Sequence, residues 1–177
     1  MSERPWSVAV SLHDIPETGR HFELLADDTI RAAIAKTAQL RALPRLEATF
    51  DVTRRGSDGL HVLGRLSATV GQVCVVTLDP LENEIDEAVD VTFLPDATRG
   101  EAARKRVLEV ASDDEPEIEP LINDTIDLGA IATEFLLLGI DPYPRKPEAV
   151  FEAPPTEDAA DHPFAALAGL RKGSHDA

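Results

Sequence analysis

Alternating apolar and polar positions dominate the middle of the chain. From Leu46 to Val52 every second residue is apolar, and the same alternation runs from Leu60 to Val70. A period of two is typical of a strand with one buried face. Because the residues between the two runs, 54 to 59, have the composition of a tight turn, the sequence predicts a β-hairpin.

Further apolar runs extend this hairpin into a larger sheet. We expect strands at Trp6 to Leu12, Val73 to Leu78 and Ile85 to Phe93, and a short extended segment at His21 to Leu25. The four successive strands between Leu46 and Phe93 have short connections, which favours an antiparallel meander. The sequence therefore predicts an α+β fold, with a curved, barrel-like antiparallel sheet, a few packed helices and acidic flexible loops.

Helical periodicity appears before and after the predicted sheet. It predicts one helix at about 27 to 39, and another that begins at the capping residue Asp127 and ends at Gly139. A weaker signal suggests a short helix at about 101 to 108, and residues 112 to 120 are expected to form an acidic flexible loop.

The end of the chain differs in composition from the rest. We expect one domain over residues 1–147, then an acidic, proline-rich linker and a short helix at about 161 to 172. Phe164, Leu167 and Leu170 form an apolar stripe on that helix. A helix this short needs a surface to pack on, which is either its own domain or the groove of a partner.

Composition adds a marked charge asymmetry. The 177 residues carry a net charge of −16, yet residues 1 to 70 contain nine bases and nine acids, so the excess negative charge lies entirely in residues 71 to 177. The single cysteine, Cys74, excludes an internal disulfide and favours a reducing compartment. Since we find neither a signal peptide nor a membrane-spanning apolar run, we expect a cytoplasmic protein.

Catalytic and metal-binding patterns are missing from the sequence. The five histidines are scattered without metal-ligand spacing, and no phosphate-binding loop or nucleophile motif occurs. Cys74 lies in an apolar run with no basic neighbour from Gln72 to Leu78 to lower its pKa, which predicts a buried, inert thiol. We therefore expect no enzyme, metal site or cofactor. A competing hypothesis is an enzyme that acts on RNA or nucleotides, with His61 and nearby carboxylates as acid and base, but no residue spacing supports it.

Two charged groups are candidates for partner contacts. Five arginines near the predicted hairpin could bind RNA phosphates, or could be ordinary strand charges that keep the sheet soluble: Arg41, Arg45, Arg54, Arg55 and Arg65. Acidic residues crowd the stretch from 79 to 90, which contains no Lys or Arg. Of these, Glu82, Glu84 and Glu87 are the candidates for binding a basic partner.

Several segments together resemble the YceD family, the large ribosomal RNA subunit accumulation proteins. The resemblance covers about residues 45 to 172. It depends on the segment from Val73 through Cys74, Asp79 and Pro80 to Leu81, on Ile126-Asp127-Leu128-Gly129, on the proline-rich segment 141–147, and on a terminal helix led by Pro163-Phe164. The family motif often reads Cys-x-Arg-Cys-Leu-Glu-Pro, whereas here valine and threonine replace the arginine and the second cysteine. No thiol, metal or arginine role of that motif carries over.

The resemblance implies a non-catalytic factor for accumulation or processing of large-subunit (23S) ribosomal RNA during ribosome assembly. We expect it to act on an assembly intermediate by binding a basic ribosomal protein or assembly factor, because the negative charge opposes direct contact with RNA. Two alternatives remain open: direct ribosomal RNA binding through the arginine-bearing N-terminal half, and a general protein-interaction module unrelated to ribosomes.

Overall fold

A computed structural model describes residues 5–95 and 117–151. Its strands are β1 (Ala9–Ser11), β2 (Arg20–Leu25), β3 (Ala42–Arg55), β4 (Gly59–Val73), β5 (Pro80–Leu94), β6 (Glu117–Pro120) and β7 (Thr125–Asp127). Its helices are α1 (Asp28–Thr37) and α2 (Leu128–Gly139), with one 3-10 turn at Leu12–Asp14. No helix within the described ranges is long and apolar enough to cross a membrane.

The predicted meander is the centre of the fold. Strands β2, β3, β4 and β5 pair in sequence order, each antiparallel to the next, and β6 adds to β5 in parallel. The α+β class is confirmed. Barrel closure is not, because the described strands form an open sheet with β2 and β6 at its edges. The strand predicted at Trp6 to Leu12 is shorter than expected and pairs with β7 in a separate two-stranded sheet.

One face of the five-stranded sheet carries the core. Alternate residues of β3, β4 and β5 are buried there, and Leu46, Phe50, Leu60 and Leu66 have no exposed surface. Phe50 lies directly opposite Gly64, where any Cβ would come within 2.4 Å of the phenyl ring. Glycine at 64 therefore makes room for the largest fully buried side chain.

Both described helices begin at a predicted aspartate cap. Asp27 Oδ1 accepts from the backbone N of Ile30, 2.8 Å away. Asp127 Oδ1 accepts from three backbone N–H groups, those of Val8, Gly129 and Ala130. Asp127 therefore starts α2 and also ties it to the N-terminal segment.

Other parts of the sequence prediction were wrong or lie outside the described residues. The strand predicted at Val73 to Leu78 is a turn, because β4 ends at Val73. Within the predicted acidic loop, residues 117 to 120 form β6, whose ladder to β5 satisfies backbone groups that a loop would leave to water. The helices predicted at 101 to 108 and at 161 to 172 lie outside the described residues.

Replacing Asp127 by alanine tests the double role of this cap. We expect Asp127→Ala to lower the free energy of unfolding by about 2 kcal/mol, since a typical cap contributes about 1 kcal/mol and the bond to Val8 is lost as well. The matched control is Asp27→Ala, which removes a single capping bond and should cost about 1 kcal/mol. Urea unfolding followed by circular dichroism measures both; equal losses would contradict the double role.

Candidate functional site

The turn between β4 and β5 is the first feature of the candidate site. We call residues 74–79 the Cys74 loop. Two backbone hydrogen bonds close it: Leu78 N donates to Cys74 O at 2.9 Å, and Cys74 N donates to Asp79 O at 2.8 Å. Pro80 opens β5 directly after the loop. The apolar residues 74–78, for which the sequence predicted a strand, therefore form a closed turn.

The proline-rich segment after α2, residues 141–147, packs against the Cys74 loop. Val75 N donates to Pro144 O at 2.9 Å, and Lys146 Nζ lies 3.1 Å from Asp79 Oδ2. Prolines prevent α2 from continuing, so the chain crosses from the helix to the end of the sheet. Two segments that the sequence places about 70 residues apart thus form one unit.

A buried amide holds the same unit from the sheet side. Gln72 Nε2 donates to Asp141 O, and Gln72 Oε1 accepts from Asn83 Nδ2, both at 2.8 Å. Neither Gln72 nor Lys146 was among the residues predicted from the sequence. Gln72 did give a signal, because it follows Leu66, Ala68 and Val70 at a position where the alternation calls for an apolar side chain. Lys146 gave none.

Cys74 is fully buried, and its sulfur accepts hydrogen bonds. The backbone N atoms of Thr77 and Lys146 each lie 3.5 Å from Sγ. A hydrogen bond from the Thr77 side chain, followed by those from backbone N–H groups, lowers the pKa of the thiol to about 6 against the opposing effect of burial. The thiol is buried, as predicted. The sequence offered no basic neighbour that could lower its pKa, and the hydrogen bonds that do so come from Thr77 and from the backbone of Lys146 in a distant segment.

Arginines and carboxylates meet on the face of the sheet opposite the core, which we call the outer face. Arg45 reaches Glu84 Oε2 and Glu47 Oε1, both at 2.6 Å, and Arg65 forms a two-bond pair with Asp86. Hydrogen bonds from Thr69 and Arg45 lower the pKa of Glu84, and Arg65 lowers that of Asp86. Arg45, a candidate RNA contact, is therefore paired with Glu84, a candidate partner contact.

The remaining candidate arginines occupy different environments. Arg54 donates to the backbone carbonyls of Ile15 and Leu12, at 2.7 and 3.1 Å, so it holds the N-terminal segment against the hairpin. Arg41 and Arg55 are exposed and have no ion pair within the described ranges. The five arginines thus do not form one basic surface.

The three candidate glutamates divide between the two faces of β5. Glu82 and Glu84 project from the outer face, whereas the odd-numbered Glu87 shares a face with Ile85 and Val89. Its carboxylate lies beside Gly139 of α2, where an added Cβ would come within 2.8 Å of Glu87 Oε1. Strand alternation separates Glu87 from the other two.

Carboxylates outnumber arginines on the outer face. Seven project from β2, β3 and β5: Glu23, Glu47, Asp51, Glu82, Glu84, Asp86 and Asp90. Two histidines lie among them, His21 bonded to Asp51 and His61 bonded to Asp90, both at 2.7 Å. No group of three or more potential metal ligands occurs in the described part of the chain.

The remaining predicted residues are those of the family motifs and of the C-terminal apolar stripe. Asp79 accepts a bond that closes the Cys74 loop, and Pro80 is the first residue of β5. Asp127 and Leu128 form the start of α2, where Leu128 is fully buried. Pro163, Phe164, Leu167 and Leu170 lie outside the described residues.

Comparison with known proteins finds one family. The family model described as "Large ribosomal RNA subunit accumulation protein YceD" matches residues 62–171, more than half of the chain. This range contains most of β4, the Cys74 loop, β5, α2 and the proline-rich segment. No curated protein and no solved structure matches.

The lowered pKa of Cys74 leads to a pH prediction. Thiolate absorbance at 240 nm should rise with a midpoint near pH 6 in the folded protein and near pH 9 in urea. Since folding lowers this pKa, the associated stability is fully present above pH 9 and is lost as the pH falls through 6. Cys74→Ala should remove that pH dependence and, below pH 6, where the wild-type thiol is protonated, should cost about 1 kcal/mol of stability. A folded-state midpoint near 9 would contradict the assignment.

Proposed function

The chain belongs to the YceD family of large ribosomal RNA subunit accumulation proteins, and from this membership we propose that it is a non-catalytic, cytoplasmic factor for ribosome assembly. It supports accumulation or processing of 23S ribosomal RNA by binding a basic ribosomal protein or assembly factor on an assembly intermediate. The family match over residues 62–171 is the observation that carries this proposal.

The charges of the outer face support a basic protein as the partner. Glu82, Asp90 and the other outer-face carboxylates exceed the arginines beside them, so the face as a whole is negative. A negative surface attracts basic proteins and accelerates their encounter. Ribosomal proteins that await RNA present the complementary charge.

The arginines argue against direct RNA binding. Arg45 and Arg65 are engaged by carboxylates, and Arg54 is engaged by backbone carbonyls. RNA phosphates would have to displace Glu84 and Asp86 from these side chains while approaching a negative face. The only aromatic side chain near them on β3, Phe50, is fully buried and cannot stack on a base.

The cellular role is tested by deletion. Loss of the protein should lower the ratio of large- to small-subunit ribosomal RNA and cause precursor particles to accumulate, and the wild-type chain should restore both. An unchanged ratio in the deletion strain would reject the proposed function.

The outer face is tested with matched pairs of charge changes. The probe is the RNA-free protein fraction extracted from purified large ribosomal subunits. We expect Glu82→Gln/Glu84→Gln to weaken retention of its basic proteins at low salt by on the order of fivefold. The control, Glu87→Gln/Glu134→Gln, removes the same charge away from the outer face and should leave retention near the wild-type level. Equal retention by wild type and both variants would reject the outer face as the contact.

The C-terminal segment gives a second prediction. If Phe164, Leu167 and Leu170 bind a partner, truncation after Thr156 should leave the melting temperature of the isolated protein nearly unchanged and abolish cosedimentation with assembly particles. The alternative is packing on the domain itself, where α2 lines an open groove of about 770 Å³ with Ile131, Phe135 and Leu138. A large fall in melting temperature would support that alternative.

A further inference from the structure

The open groove beside α2 has an apolar lining. Residues of β5, β6 and α2 surround its volume of about 770 Å³. On the helix side the lining residues are Ile131, Phe135 and Leu138, whose spacing places them on one face of α2. Leu138 is 72 % exposed, and Ile122, which lines the groove after β6, is 64 % exposed. A helix face of this kind normally packs against another element.

The groove is also acidic. Glu119 and Glu134 line it, and no lysine or arginine among the described residues does so. The third acidic residue of the lining, Asp127, is engaged as the cap of α2. An occupant that fits the groove therefore combines apolar side chains with positive charge.

The C-terminal segment of the same chain has this chemistry. Its predicted helix carries an apolar set, which we call the C-terminal stripe: Phe164, Leu167 and Leu170. Arg171 and Lys172 follow the stripe directly, and they are the only Asp, Glu, Lys or Arg residues between positions 162 and 175. In a chain with a net charge of −16, this segment is therefore locally basic.

The chain is long enough to bring the stripe to the groove. The described residues end at Phe151, and Lys146 shortly before it is held 3.1 Å from Asp79 at the start of β5. The near end of the groove is level with Glu87, which lies beside Gly139 of α2. Along β5, Asp79 and Glu87 are about 25 Å apart. The residues from 151 to the first member of the stripe span up to about 45 Å.

We propose that the groove beside α2 is the docking site of the C-terminal stripe of the same chain. Two surfaces were open for this stripe, its own domain or a partner, and the apolar and acidic lining of the groove favours the first. The family match supports one packed unit, because it ends at residue 171 and so includes both α2 and the stripe. Truncation after Thr156 should then lower the melting temperature of the isolated protein by about 6 °C.

Paired substitutions in the full-length protein test this contact. Leu138→Ser and Phe164→Ser should each lower the melting temperature by about 3 °C. The double variant should lose clearly less than the sum of the two shifts, because both changes remove the same contact. The control Leu137→Ser replaces the neighbouring leucine of α2, which does not line the groove. Its shift should add fully to that of Phe164→Ser.

Amide hydrogen exchange followed by mass spectrometry locates the docked segment directly. Peptides from residues 161–172 should exchange at least about tenfold more slowly in the wild type than in Leu138→Ser. In Leu137→Ser they should exchange like the wild type, because the groove is intact.

Three results would overturn the inference. The first is additive shifts from Leu138→Ser and Phe164→Ser, and the second is equal exchange of residues 161–172 in the wild type and Leu138→Ser. The third is a dimer in sedimentation equilibrium whose melting temperature rises with protein concentration, which would place the stripe on a second copy. If the first or second result comes with loss of cosedimentation on truncation, the stripe binds a partner.

The inference does not rest on the proposed function, since every measurement of docking uses the isolated protein. The level of 23S RNA in the deletion strain tests the function alone. Either of the two can therefore fail while the other stands.

Discussion

Pairing of β4 on both sides is the constraint on which the rest of the structure depends. Residues Gly59 to Gly71 of β4 pair with β3, and residues Leu60 to Val73 of β4 pair with β5. A shift of one residue would turn every side chain to the opposite face, exposing Leu60, Val62 and Leu66 and burying Arg65. The contact between Phe50 and Gly64 permits no such shift, because no other residue of β4 facing the core would clear the ring.

The same register determines the charge pattern of the outer face. Arg45 lies opposite Thr69, which lies opposite Glu84, so one row across three strands brings a cation and an anion together. Strand β5, from the acidic part of the chain after residue 70, thus pairs with β4, which comes mostly from the neutral part before it. The carboxylates that pair with Arg45 and Arg65 belong to a larger acidic set on this face, and this excess is the reason why we propose a basic protein rather than RNA as the partner.

Sequence periodicity predicted what depends on neighbours along the chain. The β3–β4 hairpin, α1 and the Asp127 cap of α2 follow from alternation, helical spacing and capping residues. The alternation along β5 could also have predicted that Glu82 and Glu87 lie on opposite faces of the sheet, because their numbers differ by five. It could not predict the Cys74 loop, because Val75 and Cys74 accept that turn through bonds to Pro144 and Lys146, which local patterns do not reveal. The pairing of Arg65 with Asp86 was hidden for the same reason.

The contact between the Cys74 loop and the proline-rich segment joins the candidate site to the core. Gln72 on β4 holds Asp141, and Asp127 fixes the start of the helix that leads there. Cys74 is buried, and its sulfur accepts a hydrogen bond from Lys146 N, which links the loop to the proline-rich segment. Leu78, whose φ is +62°, therefore lies in a loop whose neighbouring residues are hydrogen-bonded to the sheet and to the proline-rich segment. Strain of this kind persists only where surrounding contacts enforce it, and here those contacts come from both halves of the family-matched region.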